Sequence, residues 1–272
     1  MKYAARTDLA LESRNAYEGD LEGASLREFT LHGCKVTELA ITDHSASDAL
    51  CKPKGTYYTL QLQDYVSRRQ EAFSSAVLAM AELLRRLVGI EKADSALVAC
   101  LGNRNITPDA IGSLCADSLI VSRHLKSAMP DSYEFLSDVS VLRTGVLGTT
   151  GIETADIVRS VCRSVRPDCV LVVDALASSD ISRLCRTVQL CDSGIAPGSG
   201  VGNNRERLDR ESLGVPVIAV GVPTVTDAAE GFFVTPRNID QLAASVSKLI
   251  AYGIDLALHP GLTIEDVDLL VE

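Results

Sequence analysis

The stretch R-P-D-C-V-L-V-V-D-A-L-A-S-S at residues 166–179 decides the fold. Its apolar run at 169–173 is short, unbroken and rich in β-branched side chains. Such a run is typical of a strand that is buried on both faces of a parallel sheet. The run ends on Asp174, so we predict this carboxyl group at the carboxyl end of the strand, where open α/β sheets place their sites. An aspartate there also often caps the next loop, and both interpretations stay open at this point.

Short apolar runs and helical patterns alternate along the rest of the chain. Further buried strands are predicted at 96–101, 139–147 and 215–222, and helices at 63–87, 107–125 and 239–252. Because strands that alternate with helices form parallel β-α-β units, we predict an α/β fold. Helices would cover both faces of a mostly parallel central sheet in an α/β/α sandwich.

The first part of the chain has a different pattern. Residues 1–34 are polar and charged, which predicts a solvated arm with a short helix. Residues 35–41 and 55–62 alternate between apolar and polar side chains, which predicts an antiparallel pair of strands. No long linker or change of composition interrupts the chain, so we predict a single domain over residues 1–272.

Composition excludes several classes of protein. The chain has 46% apolar residues, a net charge of −10 and a pI near 4.9. A globular protein that does not take nucleic acid as its main partner is expected. No apolar run approaches the roughly 18 residues of a membrane span, and we expect a cytoplasmic protein. The eight cysteines include no C-x-x-C pair, so we expect buried thiols rather than a zinc site.

A second aspartate occupies a position similar to that of Asp174. Asp109 follows the apolar run at 96–101, within L-G-N-R-N-I-T-P-D-A-I-G at 101–112. The Thr-Pro pair before it predicts a helix start, and a carboxylate in the first turn also complements the helix dipole. Two carboxyl groups that face one water can share a proton, so that one acts as acid and the other as base. Asp109 and Asp174 are therefore the candidate catalytic pair.

Two other motifs are weaker indications of a functional site than the two aspartates. Asp192-Ser193-Gly194 matches the tripeptide of pepsin-like aspartic proteases, which need two such tripeptides on β-rich lobes or one in each subunit of a dimer. This α/β chain has one, so we interpret it as a chance match. The glycine-rich run at 198–203 lacks the G-K-[ST] ending of a phosphate loop and the dinucleotide spacing. Its glycines predict tight turns or a close approach of the backbone.

Several blocks of sequence, in order and nearly from end to end, resemble the germination protease family of spore-forming bacteria. The blocks are R-T-D-L-A-L-E (6–12), L-G-N-R-N-I-T-P-D-A-I-G (101–112), R-H-L (123–125), T-G-I-E-T (150–154), V-D-A-L-A (173–177), D-S-G-I-A-P-G-S-G-V-G-N (192–203), L-G-V-P-V-I-A-V-G-V-P-T-V (213–225), F-V-T-P (233–236) and A-L-H-P (257–260).

The resemblance implies an endopeptidase that hydrolyses small acid-soluble spore proteins during germination, in the forespore or spore core. It implies a fold similar to phosphorylases and hydrogenase maturation proteases. Catalysis in this family is attributed to two aspartates, which correspond to Asp109 and Asp174. The resemblance therefore implies an atypical aspartic protease without a cofactor. Assembly into a homo-oligomer stays open. The blocks also contain the candidate substrate-binding residues Asn103, Asn105, Gly198, Ser199, Gly200 and Asn203.

The sequence departs from the family pattern in two places. The family enzyme is made as a zymogen, whereas only residues 1–5 precede the R-T-D-L block here. We therefore expect no removal of a pro-peptide of the family's usual kind. A long insertion that the family carries between the V-P-T-V and V-T-P blocks is missing between Val225 and Val234.

Two alternative functions are also compatible with the sequence. An inactive relative could bind spore proteins without cleaving them, and a metal-dependent protease could use His124 as a third ligand beside the two aspartates. His124 lies 15 residues beyond Asp109 on what is predicted to be one helix. A straight helix would separate them by roughly 20 Å, so we predict hydrolysis without a metal.

Overall fold

The structure is a computed structural model that describes residues 6–62, 70–87, 94–202, 205–229 and 232–271. Within these residues, one mixed sheet has the strand order β1-β2-β3-β7-β8-β6-β4-β5, and β9 pairs with β8. The strands are β1 (Ala24–Leu31), β2 (Cys34–Ile41), β3 (Gly55–Gln61), β4 (Ser95–Leu101), β5 (Asp138–Gly145), β6 (Cys169–Ser178), β7 (Thr187–Cys191), β8 (Val217–Ala229) and β9 (Phe232–Val234).

Strand direction divides the sheet into two parts. β8, β6, β4 and β5 are parallel neighbours, which confirms the predicted α/β fold with a parallel central sheet. β1, β2, β3 and β7 extend the sheet with antiparallel pairs. The predicted antiparallel pair is β2 and β3, but it lies inside this extension because β1 covers its outer edge.

Helices cover both faces of the sheet. They are α1 (Ala10–Ala16), α2 (His44–Leu50), α3 (Gln70–Arg86), α4 (Ile111–Cys115), α5 (Arg123–Ala128), α6 (Leu147–Thr150), α7 (Thr154–Val165), α8 (Arg210–Leu213), α9 (Ile239–Leu258) and α10 (Ile264–Val271). Side chains of α3, α4 and α9 share one hydrophobic core with the sheet, and α7 packs in a second core on the other face.

The side chains of β6 show why the apolar run predicted a doubly buried strand. Leu171 and Val173 point into the core with α3 and α9, whereas Val170 and Val172 point into the core with α7. All four side chains are fully buried. Because each such burial stabilises the fold by about 1.5–3 kcal/mol, this strand anchors both layers.

β6 is longer than the apolar run indicates. It continues past Asp174 to Ser178, so the prediction that the strand ends at Asp174 is wrong. The extra residues pair with β8 up to Ser178 and Thr226. β4, in contrast, pairs with β6 only as far as Cys100 and Val173. Asp174 is therefore the first residue of β6 whose β4 side is open.

The single helix predicted at 107–125 is also wrong. A short 3₁₀ turn at Thr107–Asp109 leads into α4, another follows at Ala116–Ser118, and Leu119 is extended with a ψ of 139°. Tertiary hydrogen bonds hold the break, because Ile120 N donates to Asp255 Oδ1 at 3.1 Å and Ser122 N donates to Val139 O at 3.2 Å.

The predicted arm at 1–34 contains its short helix, α1, but it is not solvated throughout. Leu9 and Ala10 are fully buried, and β1 forms an eight-residue antiparallel ladder with β2. The first residues of the helix predicted at 63–87 lie outside the described part of the chain.

Cys51 is exposed, contrary to the expectation, and the other cysteines are buried. Among the described residues, no helix has the length and apolar character that a membrane crossing needs.

Candidate active site

Asp174 lies at the open edge of β6, directly after Val173, the last residue of β6 that pairs with β4. Its side chain is only 5% exposed, and Oδ1 accepts a hydrogen bond from Ala175 N at 2.9 Å. The buried apolar residues before it hold the backbone of β6 rigidly in the sheet. The carboxyl group therefore has a defined position in a poorly solvated place.

Asp109 lies in a turn that several elements hold in place. Gly102 has a φ of +94°, and a Cβ atom there would be 2.0 Å from Asp109 O, so the turn requires glycine at this position. Asp109 Oδ2 accepts a hydrogen bond from Asn103 N at 2.8 Å. Thr224 Oγ1 of β8 donates to Pro108 O at 2.6 Å. These contacts connect the turn to the neighbouring strand.

A glycine in α4 lets this segment approach the sheet closely. A Cβ atom at Gly112 would be 2.4 Å from Leu101 O and 2.6 Å from Val173 O. Backbone therefore packs directly on the end of β4 and on β6 at Val173, next to Asp174, and the two aspartates come to one place. Asp109 and Asp174 line the same cavity of about 630 Å³, here called the acid cavity.

The electrostatics of the acid cavity favour retained protons. Burial raises the pKa of Asp174 well above its usual range, and the negative charge of Asp109 raises it further, against the lowering by the Ala175 N–H. Burial also raises the pKa of Asp109, while the hydrogen bond from Asn103 N lowers it. Buried carboxyl groups of like charge with raised pKa values can divide acid and base roles near neutral pH.

A third carboxyl group, that of Asp8, also lines the acid cavity, although no local sequence pattern predicts it there. Asp8 Oδ2 accepts a hydrogen bond from Ala177 N at 2.8 Å, and Oδ1 accepts one from Ser199 Oγ at 2.6 Å. The negative charge of Asp8 contributes to the raised pKa of Asp174. The available signal was its place in the R-T-D-L block, because no apolar run or helix start marks this residue.

The candidate substrate-binding residues separate into groups. Asn103 and Gly198 line the acid cavity with the two aspartates. Ser199 and Gly200 line a second cavity of about 430 Å³. Asn105 is exposed and does not line either cavity. Asn203 lies outside the described residues. Roles in substrate binding stay predictions for all six.

The second cavity, here called the basic cavity, is lined by Arg6, Lys52 and Arg207, and Asp8 lies between it and the acid cavity. Lys52 Nζ donates to Thr7 O at 3.2 Å and to Asp8 O at 2.9 Å. Burial lowers the pKa of Lys52, and the nearby Asp8 charge opposes this. Lys52 therefore holds the backbone of the N-terminal segment at the boundary of the two cavities.

Other chemical candidates do not join the two aspartates. His124 is exposed on α5, and the broken chain after Asp109 removes the straight-helix argument about its distance. Among the residues that the structure describes, no three His, Cys, Asp or Glu side chains are grouped to hold a metal ion. Asp192 has a structural contact, because its Oδ1 accepts a hydrogen bond from Thr56 N at 2.8 Å.

The family model and the relatives found by sequence identify the same family. A family model described as germination protease matches residues 5–231. A germination protease of Clostridium perfringens is 37% identical over 320 positions, which cover 98% of both chains. One of Bacillus cereus is 41% identical over 249 positions, which cover 88% of this chain and 67% of the relative.

The 320 aligned positions exceed the 272 residues of this chain, so the clostridial relative has segments that this chain lacks. Among solved structures, a NiFe hydrogenase maturation protease HycI from Thermococcus kodakarensis matches with a TM-score of 0.40 and 20% identity. The match covers 63% of this chain and 98% of that chain. The family model covers most of the sequence, and the clostridial relative of the same family aligns with nearly the full length of this chain. The chain therefore belongs to the germination protease family.

Proposed function

We propose that this chain is an endopeptidase that hydrolyses small acid-soluble spore proteins in the germinating spore, with Asp109 and Asp174 as its catalytic pair. The proposed mechanism rests on one observation: two carboxyl groups with raised pKa values line one cavity at the open edge of β6. The assignment as a protease that acts in germination rests on the family membership. The substrate class and the spore location follow from the family resemblance.

The pair divides into an acid and a base. Asp174 is the more buried group and lies beside two other carboxyl groups, so it holds the proton. Asp109 accepts the Asn103 N–H, which favours its ionised form. Ionised Asp109 takes a proton from water as the oxygen attacks the peptide carbonyl carbon, and Asp174 donates its proton to the carbonyl oxygen. When the C–N bond breaks, Asp109 returns a proton to the leaving nitrogen, and the carbonyl re-forms as Asp174 recovers its proton.

The acid cavity suits a peptide substrate. Its volume of about 630 Å³ lies within the range of ligand sites, about 300–1,000 Å³. Ile106 and Phe233 line it and are 53% and 40% exposed, so they offer apolar surface to side chains of an extended chain. The net charge of −10 disfavours direct contact with nucleic acid. The protein component of the spore chromatin is therefore the proposed partner.

Cleavage of purified small acid-soluble spore proteins tests the proposal. The wild-type protein is expected to produce discrete fragments. Asp109→Asn and Asp174→Asn should each lower the rate roughly 10²–10⁴-fold, because each removes one proton-transfer group. Asp266→Asn is the matched control, since this aspartate lies in α10 and does not line the cavity.

Circular dichroism and thermal unfolding would establish that the variants fold. If either Asp109→Asn or Asp174→Asn cleaves at nearly the wild-type rate, the catalytic pair is wrong. Binding of the spore proteins without any fragments from the wild-type protein would instead identify a non-proteolytic relative.

A further inference from the structure

Asp8 occupies the place that a neighbouring strand would take beside the end of β6. Its backbone N donates to Ala177 O at 2.9 Å, and its Oδ2 accepts from Ala177 N at 2.8 Å. One residue therefore satisfies both backbone groups of Ala177 on the side that β4 leaves open. Without this pairing, a buried N–H and a buried carbonyl would lack their partners, which is costly.

The other carboxyl oxygen of Asp8 holds the loop at 198–202. Ser199 Oγ donates to Asp8 Oδ1 at 2.6 Å. A Cβ atom at Gly200 would be 2.1 Å from Asp8 Oδ2 and 2.8 Å from Ala177 Cβ. The loop thus lies directly against the Asp8 carboxylate, and only glycine permits this approach. Gly198, at the start of the loop, lines the acid cavity.

We propose that Asp8 is a positioning residue for the catalytic pair: it holds the loop at 198–202 against the end of β6 and places a second negative charge, in addition to that of Asp109, beside Asp174. This inference rests on the proposed protease function. It assigns Asp8 no bond to substrate. Its carboxylate acts through Asp174, whose protonated form it favours, and through the loop at 198–202, whose Gly198 lines the acid cavity.

The charges that face this site come from several elements. Asp109 faces Asp174 from the turn before α4. Arg205 also lines the acid cavity and forms an ion pair with Glu153 at 3.4 Å. On the far side of Asp8, Lys52 Nζ contacts its backbone oxygen at 2.9 Å, and the Arg6 guanidinium lies against Gly202. Asp8 is therefore the negative charge between two basic side chains and the catalytic pair.

The test compares Asp8→Asn with Asp8→Glu. The Asp174 carboxyl carbon is followed by ¹³C NMR during a pH titration and is assigned by its loss in Asp174→Asn. Because removal of a negative neighbour favours ionisation, Asp8→Asn should lower the Asp174 midpoint by at least about 0.3 pH unit. The alkaline limb of kcat against pH should move down with it. Asp8→Glu keeps the charge and the midpoint, but its extra methylene does not fit against Gly200, so kcat should fall several-fold.

Asp266→Asn is the matched control and should leave both readouts unchanged. An unchanged Asp174 midpoint in folded Asp8→Asn would overturn the inference, and so would a wild-type kcat in Asp8→Glu, which tests the inference even if Asp8→Asn does not fold. The titration needs no cleavage, so its failure is distinct from failure of the proposed function, which the wild-type cleavage assay decides by itself.

Discussion

Replacement of Asp174 by asparagine changes the way in which stability depends on pH. The carboxyl group is 5% exposed and has a strongly raised pKa, first because of burial. An acid with a raised pKa in the folded state binds more protons there than in the unfolded chain. Its contribution to stability is therefore present at low pH and is lost as pH rises from the unfolded pKa of about 3.9 towards the folded pKa.

The magnitude follows from one proton. Between the two pKa values, the folded state holds up to one proton more than the unfolded state at this group. The free energy of unfolding then falls by up to about 1.4 kcal/mol for each pH unit. Asparagine has a similar shape and no proton to lose, so Asp174→Asn should remove this slope. The variant should be more stable than wild type at neutral pH, although its cleavage activity is lost.

Urea unfolding at a series of pH values between 4 and 8, followed by circular dichroism, measures the slope. Asp255→Asn is a matched comparison, because Asp255 is fully buried in α9, has a raised pKa from burial and does not line the acid cavity. It should flatten the slope in the same way and keep cleavage. Equal slopes in wild type and Asp174→Asn would refute the argument that burial holds the proton on Asp174.

Three further outcomes are expected. Leu84→Ala should lower the free energy of unfolding by about 2–5 kcal/mol, because Leu84 is fully buried in α3. Leu78→Ala, at a 40% exposed position of the same helix, should lower it by less than about 1 kcal/mol. Chemical denaturation measures both changes. Gly200→Ala should destabilise by about 1–3 kcal/mol through the clash with Asp8, whereas Gly148→Ala, where a Cβ meets nothing within 4 Å, should change thermal stability by less than about 1 kcal/mol. Prolonged treatment with a chelator should leave the cleavage rate unchanged, and activity that is lost and then restored by one divalent metal would contradict proton sharing between the aspartates.

Local sequence pattern was sufficient for the central elements of the fold. The β-branched run before Asp174 and the apolar run before Asp109 predicted two doubly buried strands, and β6 and β4 are those strands. Such runs are reliable because a side chain in a central parallel strand has core on both faces and excludes polar residues. The same pattern placed Asp109 correctly after the end of β4, whereas Asp174 lies inside β6, where the pairing with β4 stops. Their catalytic role stays a prediction that the variants above test.

Contacts between residues that are distant in sequence determined the features that local pattern did not predict. Helix periodicity did not show the break after Cys115, because the groups that hold it, Asp255 and Val139, belong to other elements. β6 extends past Asp174 because β8 continues beside it while β4 ends.

By itself, the sequence determined the class of fold and the two buried strands, and it selected Asp109 and Asp174 as candidate acids, since burial and periodicity are local properties. Only the tertiary structure decided that Asp8 lies beside Asp174 and that Gly112 lets Asp109 approach the same cavity. The hydrogen bond from Ala177 N to Asp8 joins residues 169 positions apart. No local preference encodes such a bond, because it forms only where packing of the whole chain leaves one strand edge open and brings another segment to it.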